Sequence, residues 1–145
     1  MERMLVALDD TPHASIVLAG AGALARKTGA KMVLFHAVSV PPSVPAEAMA
    51  VRPDAVGPML EQQARERLER HAADLSGELV ASVRVTVGTP WQSICRAALE
   101  EQVALIVIGA HRYGFVDRVL GTTAAKVVNH ADRTVVVVRA PDLLG

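Results

Sequence analysis

Two short segments of the chain hold residue types suited to binding an anion. One is Gly109-Ala110-His111-Arg112-Tyr113-Gly114 and the other is Gly121-Thr122-Thr123. Glycines let backbone approach a ligand closely, and free amides at a helix N-terminus face negative charge with the helix dipole behind them. Thr122 and Thr123 add hydroxyl donors, and Arg112 offers a guanidinium for a charge-assisted bond to a phosphate oxygen. His111 falls in the same turn, where it either contacts ligand or bonds backbone. Gly121-Thr122 also fits a plain helix start, so both readings stand. A third candidate is Asp9, at the end of the first apolar run. Its carboxylate can accept from an adenine amino group or a ribose hydroxyl, hold Mg²⁺ beside phosphates, or cap the helix that Thr11-Pro12 announces. Asp10 is the better placed of the two for the cap.

Other chemistry finds less support. A phosphorylated receiver domain needs an Asp after its third strand and a Lys after its fifth, where this chain has Val87-Gly88-Thr89 and Arg139-Ala140-Pro141. Cys95 lies on the apolar side of a predicted helix with no histidine at a suggestive spacing, so it reads as an inert thiol. No two histidines have the local spacing of a zinc site. His36 reads as a core or strand-end residue, and His13, His71 and His130 as surface or helix-end residues.

The elements that position these groups follow from hydrophobic periodicity. Met4 to Leu8, Lys31 to Val38, Val80 to Val87, Ala104 to Ile108 and Thr134 to Val138 read as strands. Helices are predicted from Pro12 to Gly29, around Leu60, Ala64, Leu68, His71 and Leu75, from Pro90 to Glu101, and from Ala124 to Ala131. Trp91, Ile94, Cys95 and Ala98 are expected to face inward, and the charges of the second helix to face solvent. Ser39 to Pro58, with five prolines and no periodicity, reads as a long surface loop. Continuous apolar strands separated by crossover helices indicate an α/β fold, a doubly wound open parallel five-stranded sheet with helices on both faces. Such sheets bind ligands outside the carboxyl ends of their strands, where the winding reverses. The turns after Leu8, Val38, Val87 and Ile108 are therefore the places to expect a site.

The 145 residues suit one domain spanning 1–145, and 51% hydrophobic content suffices for a core. Fifteen basic residues balance fifteen acidic ones, which argues against a nucleic-acid partner. The single cysteine suits a reducing cytoplasm, and no apolar run approaches the roughly 20 residues of a membrane span. Aromatics make up only 3%, so a ligand has to be held by backbone, aliphatic and polar groups.

Taken together, Leu5-Val6-Ala7-Leu8-Asp9, Val33-Leu34-Phe35-His36-Ala37, Val87-Gly88-Thr89-Pro90, Leu105-Ile106-Val107-Ile108-Gly109 and Val135-Val136-Val137-Val138 resemble the small bacterial universal stress proteins over nearly the whole chain. The resemblance implies strand order 3-2-1-4-5 and a homodimer paired through the last strand, Val135 to Val138. ATP-binding members share the pattern G-x2-G-x9-G-[S/T]. Here Gly109 matches the first glycine and Gly121-Thr122 the last pair, while Arg112 replaces the second glycine and the segment is one residue shorter. It is similar to a subgroup with Gly-x-His-Arg at this place and a Leu-Gly-Ser end. By resemblance, Ala7, Asp9 and Ala37 line adenine and ribose, Ala37 through its backbone. Gly109, His111, Arg112, Gly121, Thr122 and Thr123 then surround the phosphates of ATP, with Mg²⁺ reached indirectly by Asp9. The function implied is a cytoplasmic stress-response module that senses or stores adenine nucleotide. The alternatives are the same fold acting through protein interaction alone, and slow ATP hydrolysis or phosphotransfer, for which no general base is evident.

Overall fold

A computed structural model describes residues 2–39, 53–110 and 120–140. The described elements are β1 (Arg3–Ala7), α1 (Ala14–Thr28), β2 (Lys31–Val38), α2 (Pro53–Ala73), β3 (Val80–Val87), α3 (Pro90–Glu100), β4 (Leu105–Gly109), α4 (Thr122–His130) and β5 (Thr134–Val138). The strands form one five-stranded sheet in the order β3-β2-β1-β4-β5, every neighbouring pair parallel. Both the doubly wound class and the 3-2-1-4-5 order expected from the sequence are found.

A strand flanked on both sides must also be covered on both faces, and β1 shows why its residues are uninterruptedly apolar. Met4, Leu5 and Val6 are fully buried. Met4 and Val6 point to the layer formed with α1 and α2, in a cluster with Val17, Leu18, Met32, Leu34, Leu68 and Val107. Leu5 and Ala7 point to the other layer, with Val33, Phe35, Ile94, Ala97, Ile106 and Val127 beneath α3 and α4. Period-2 alternation thus feeds two cores from one strand.

The helices close onto these faces by local means. Gly29 ends α1 in the left-handed conformation at φ 76°, its N–H donating to the Ala25 carbonyl at 2.8 Å. In mid-helix Gly20 lets α1 settle onto the sheet, since a Cβ there would lie 3.1 Å from Val138 Cγ1. Arg133 ties α3 to β5 by donating from Nη1 to the carbonyls of Ala98, at 3.0 Å, and Val103, at 2.9 Å.

Several boundaries differ from the sequence expectation. The first helix begins at Ala14, because Thr11, Pro12 and His13 are spent in a turn in which Asp9 Oδ1 accepts from the Thr11 amide and hydroxyl at 3.0 and 2.6 Å. Asp9, not Asp10, therefore supports that turn. The second helix starts at Pro53, inside the expected loop, and carries Pro58 within it. Proline fits the first helical position, and burial of Ala64 and Leu68 downstream offsets the bond lost at Pro58. The last helix opens at Thr122, two residues before the expected Ala124. Trp91 and Cys95 are only half-buried, because they sit at the flank of α3 while Ile94, Ala97 and Ala98 meet the sheet.

Ile106 is fully buried in the α3/α4 layer, whereas Leu99 on the outer side of α3 is 58% exposed. Ile106→Ala is expected to cost about 2–5 kcal/mol and Leu99→Ala no more than about 0.5 kcal/mol, measured by urea unfolding. Equal costs would mean that the burial of β4 beneath α3, or the outward side of α3, has been misassigned.

Candidate functional site

The winding reverses between β1 and β4. Ala7 stands opposite both Phe35 and Ile108, so β1 and β4 end nearly level, while β2 continues to Val38 beside β3. Beyond that point their chains part. Leu8 still bonds across to β2, its amide donating to Phe35 O at 2.8 Å, while Ala110 bonds to β5, its amide donating to Val138 O at 3.0 Å. The chain after β1 thus turns one way and the chain after β4 the other. A cleft of about 780 Å³ opens at the carboxyl ends of the strands, within the size range of small-molecule sites.

Ala7, Asp9, Ala37, Gly109, Gly121, Thr122 and Thr123 all line this cleft. His111 and Arg112 lie outside the described residues. The wall opposite Asp9 is the start of α4. Gly121 is its N-cap, buried, at φ −61° and ψ 162°, and makes no side-chain cap bond. The first helical bond is from the Ala125 amide to Gly121 O at 2.9 Å. The Gly121 amide donates to Ala110 O at 3.4 Å, and the amides of Thr122, Thr123 and Ala124 are the unpaired donors of a helix start, at the positive end of the dipole. Thr122 is exposed and Thr123 half-buried, so their hydroxyls border the same space. Pro90, at the first position of α3, adds a rigid apolar edge.

Asp9 is exposed and lines the cleft, with Oδ1 engaged by Thr11. This Asx-type turn holds the carboxylate in one place, as a ligand-facing group requires. Among the described residues no cluster of three or more His, Cys, Asp or Glu side chains is arranged to hold a metal.

Other wall residues were not assigned from the sequence. His36 lines the cleft, with Nδ1 2.7 Å from Leu8 O. A carbonyl only accepts, so Nδ1 carries the proton and Nε2 is the ring's other polar atom. Leu60, Gln63 and Arg67 of α2 form a further wall. Their spacing of three and then four residues is a helical stripe beside the buried Ala64 and Leu68. That signal was present in the sequence, but only tertiary packing shows which side of the stripe meets the cleft.

Cys95 stands outside the cleft. Burial first, and the Asp132 charge second, push its thiol above the ordinary range. Asp132 is itself held below the ordinary carboxylate range, first by the hydrogen bond from Arg133, so it stays negative beside the sulfur. A thiol so placed is a poor nucleophile.

An open parallel sheet wound in both directions, with a cleft at its reversal point walled by a free helix N-terminus and a strand-end carboxylate, defines the class of switch-point α/β binding domains. Within that class the chain belongs to the universal stress protein family, whose model matches residues 1–139. It is similar to a universal stress protein from the QAH/OAS sulfhydrylase 3′ region of Thermus aquaticus, 32% identical over 143 residues, covering 94% of this chain and 97% of the relative. Among solved structures it is similar in fold to the protein MJ0577, with a TM-score of 0.79, 19% identity and 97% of each chain covered. It is also similar in fold to the Archaeoglobus fulgidus universal stress protein in complex with dAMP, with a TM-score of 0.66, 21% identity and coverage of 95% of this chain and 98% of that one. Among the described residues no helix is long and apolar enough to cross a membrane.

The raised Cys95 pKa predicts slow alkylation. Iodoacetamide at pH 8 should modify Cys95 at least about threefold more slowly than free cysteine, because less of it is thiolate. Mass spectrometry follows the reaction, and Asp132→Asn should recover part of the rate. Reaction at the free-thiol rate would contradict this environment.

Proposed function

We propose that the protein is a cytoplasmic stress-response module that binds ATP and senses or stores it, working as a homodimer. The observation that carries the reading is the meeting of Asp9 with the uncapped start of α4 across one cleft. A nucleotide is a ligand with complementary ends. Its ribose hydroxyls and adenine amino group donate to a carboxylate such as Asp9. Its phosphates accept from the amides of Thr122 and Thr123 and from the two threonine hydroxyls. Ala7, Ala37 and Gly109 have small or no side chains and leave room for the ligand between these ends. By the shared motif, His111 and Arg112 join the phosphate side. The dAMP complex of the Archaeoglobus fulgidus relative supports an adenine nucleotide as the ligand class. Mg²⁺ fits this donor set only as an ion bound mainly by phosphate oxygens and water, with Asp9 reaching it indirectly.

The homodimer rests on the sheet edge. Among the described residues no strand covers the outer side of β5. Val138 O faces β4, where it accepts from the Ala110 amide. Alternation along a strand then turns the backbone of Val137 outward, ready to pair with a second copy.

Calorimetry with ATP and Mg²⁺ tests the binding reading. Asp9→Ala and Gly121→Val should each raise Kd at least about tenfold, about 1.4 kcal/mol, and Cys95→Ala should leave it unchanged. No heat at millimolar ATP, or equal Kd in all three variants, would end the proposal. Light scattering tests the dimer. The wild type should have twice the chain mass, and Val137→Pro, which removes an outward N–H, should halve that mass while far-UV circular dichroism is kept. A dimer that survives Val137→Pro pairs through another surface.

A further inference from the structure

The cleft is wider than the site just described. It straddles the edge of the sheet, and the residues assigned from the sequence occupy its centre and its α3/α4 side. Leu8 and Val17 belong to the opposite core layer, and beyond them stand Gln63 and Arg67 of α2. No ligand group has been assigned to that side.

Arg67 is the distinctive residue there. It is half-buried, and it lines both the main cleft and an adjoining recess of about 60 Å³. Asp9, Asp10, His36 and His71 share the recess. Of the other half-buried arginines among the described residues, Arg3 and Arg84 pair with the Glu100–Glu101 corner and Arg133 bonds Asp132 and two carbonyls, while Arg65, which lines neither cavity, has no such partner. Arg67 has no hydrogen bond or ion pair among the described residues, although two carboxylates line the same recess. Asp9 Oδ1 is engaged by Thr11 instead. A half-withdrawn guanidinium left without an anion gains most from one supplied by a ligand.

We infer that this side of the cleft is a subsite for a phosphate monoester on the 2′ or 3′ oxygen of a bound adenine nucleotide, with Arg67 as its cation and Gln63 as a second donor. The inference rests on the proposed nucleotide site and names its ligand class more closely. The placement follows from the ribose. In nucleotide sites of open α/β sheets a carboxylate takes a free ribose hydroxyl or, where that oxygen is phosphorylated, an arginine takes the phosphate. Arg67 stands beside Asp9 in this way. The recess has room for roughly four waters, enough for an appended phosphate and far too little for a second base. The guanidinium fork matches the oxygens of a phosphate, and the neighbouring Asp9 and Asp10 are exposed, so solvent and salt screen their repulsion. His36, locked to Leu8 O through Nδ1, lines the same recess in a fixed tautomer.

The test is calorimetry on the full chain at constant ionic strength with AMP, adenosine 3′,5′-bisphosphate and adenosine 2′,5′-bisphosphate, for wild type, Arg67→Gln and Arg67→Met. One of the two bisphosphates should bind the wild type at least about tenfold more tightly than AMP. That ratio should fall to within about twofold in both variants, and should shrink with added salt in the wild type. The two bisphosphates separate the 3′ from the 2′ position. AMP binding with no preference for either bisphosphate, or a preference that survives both substitutions, overturns the subsite and leaves the nucleotide reading in place. No binding of any of the three overturns both.

Discussion

Everything in this molecule follows from one requirement: a parallel sheet must be covered on both faces, so its crossover helices have to divide between them. With right-handed crossovers, a chain that starts at the centre and moves one way lays its helices on one face. To cover the other face it must return to the centre and move the opposite way. β1 and β4 are the adjacent strands at which that happens. The chains leaving their carboxyl ends diverge, and the gap between them cannot be closed by either neighbour. The cleft is thus the consequence of covering a sheet, and its floor is as rigid as the two cores that meet there.

The same constraint explains the chemistry of the walls. Helices that return antiparallel to the strands begin at the carboxyl edge, so α4 brings its unpaired amides and positive dipole end to the cleft. Gly121 is too small to obstruct them. Asp9 is the first polar residue after an apolar strand, and its turn with Thr11 converts a floppy strand end into a fixed carboxylate. One side of the site is rich in donors and the other in acceptors, with small residues between. That polarity suits a nucleotide, whose phosphates accept and whose nucleoside donates. Arg67 modifies the pattern by adding a single cation on the acceptor side, where its charge is conspicuous because no described group answers it.

The fold was largely legible in the sequence. Uninterrupted apolar runs such as Met32 to Phe35 and Ile106 to Ile108, bounded by turn residues, suit strands buried on both faces, and Pro90 after Gly88-Thr89 suits a helix start. Misread boundaries arose where local signals compete with packing. Thr11-Pro12 is a valid helix start on its own, but the Asp9 side chain captures Thr11 and delays the helix to Ala14. Pro53 and Pro58 read as loop residues until Ala64 and Leu68 are seen to anchor a helix long enough to include them.

By itself the sequence determined the class of fold and the small-residue and hydroxyl character of the Gly109 and Gly121 turns, because periodicity and backbone freedom are local properties of the chain. Asp9 belongs to the same group, since its place at the end of an apolar run is visible without coordinates. Only the tertiary structure decided that α2 supplies a wall, that His36 is pinned to Leu8, and that Arg67 stands beside Asp9 without a partner. Those facts join residues 28 to 58 positions apart, and nothing in the spacing of a chain records which side chains meet across such distances. Packing of α2 onto the sheet sets them, and packing is a property of the whole.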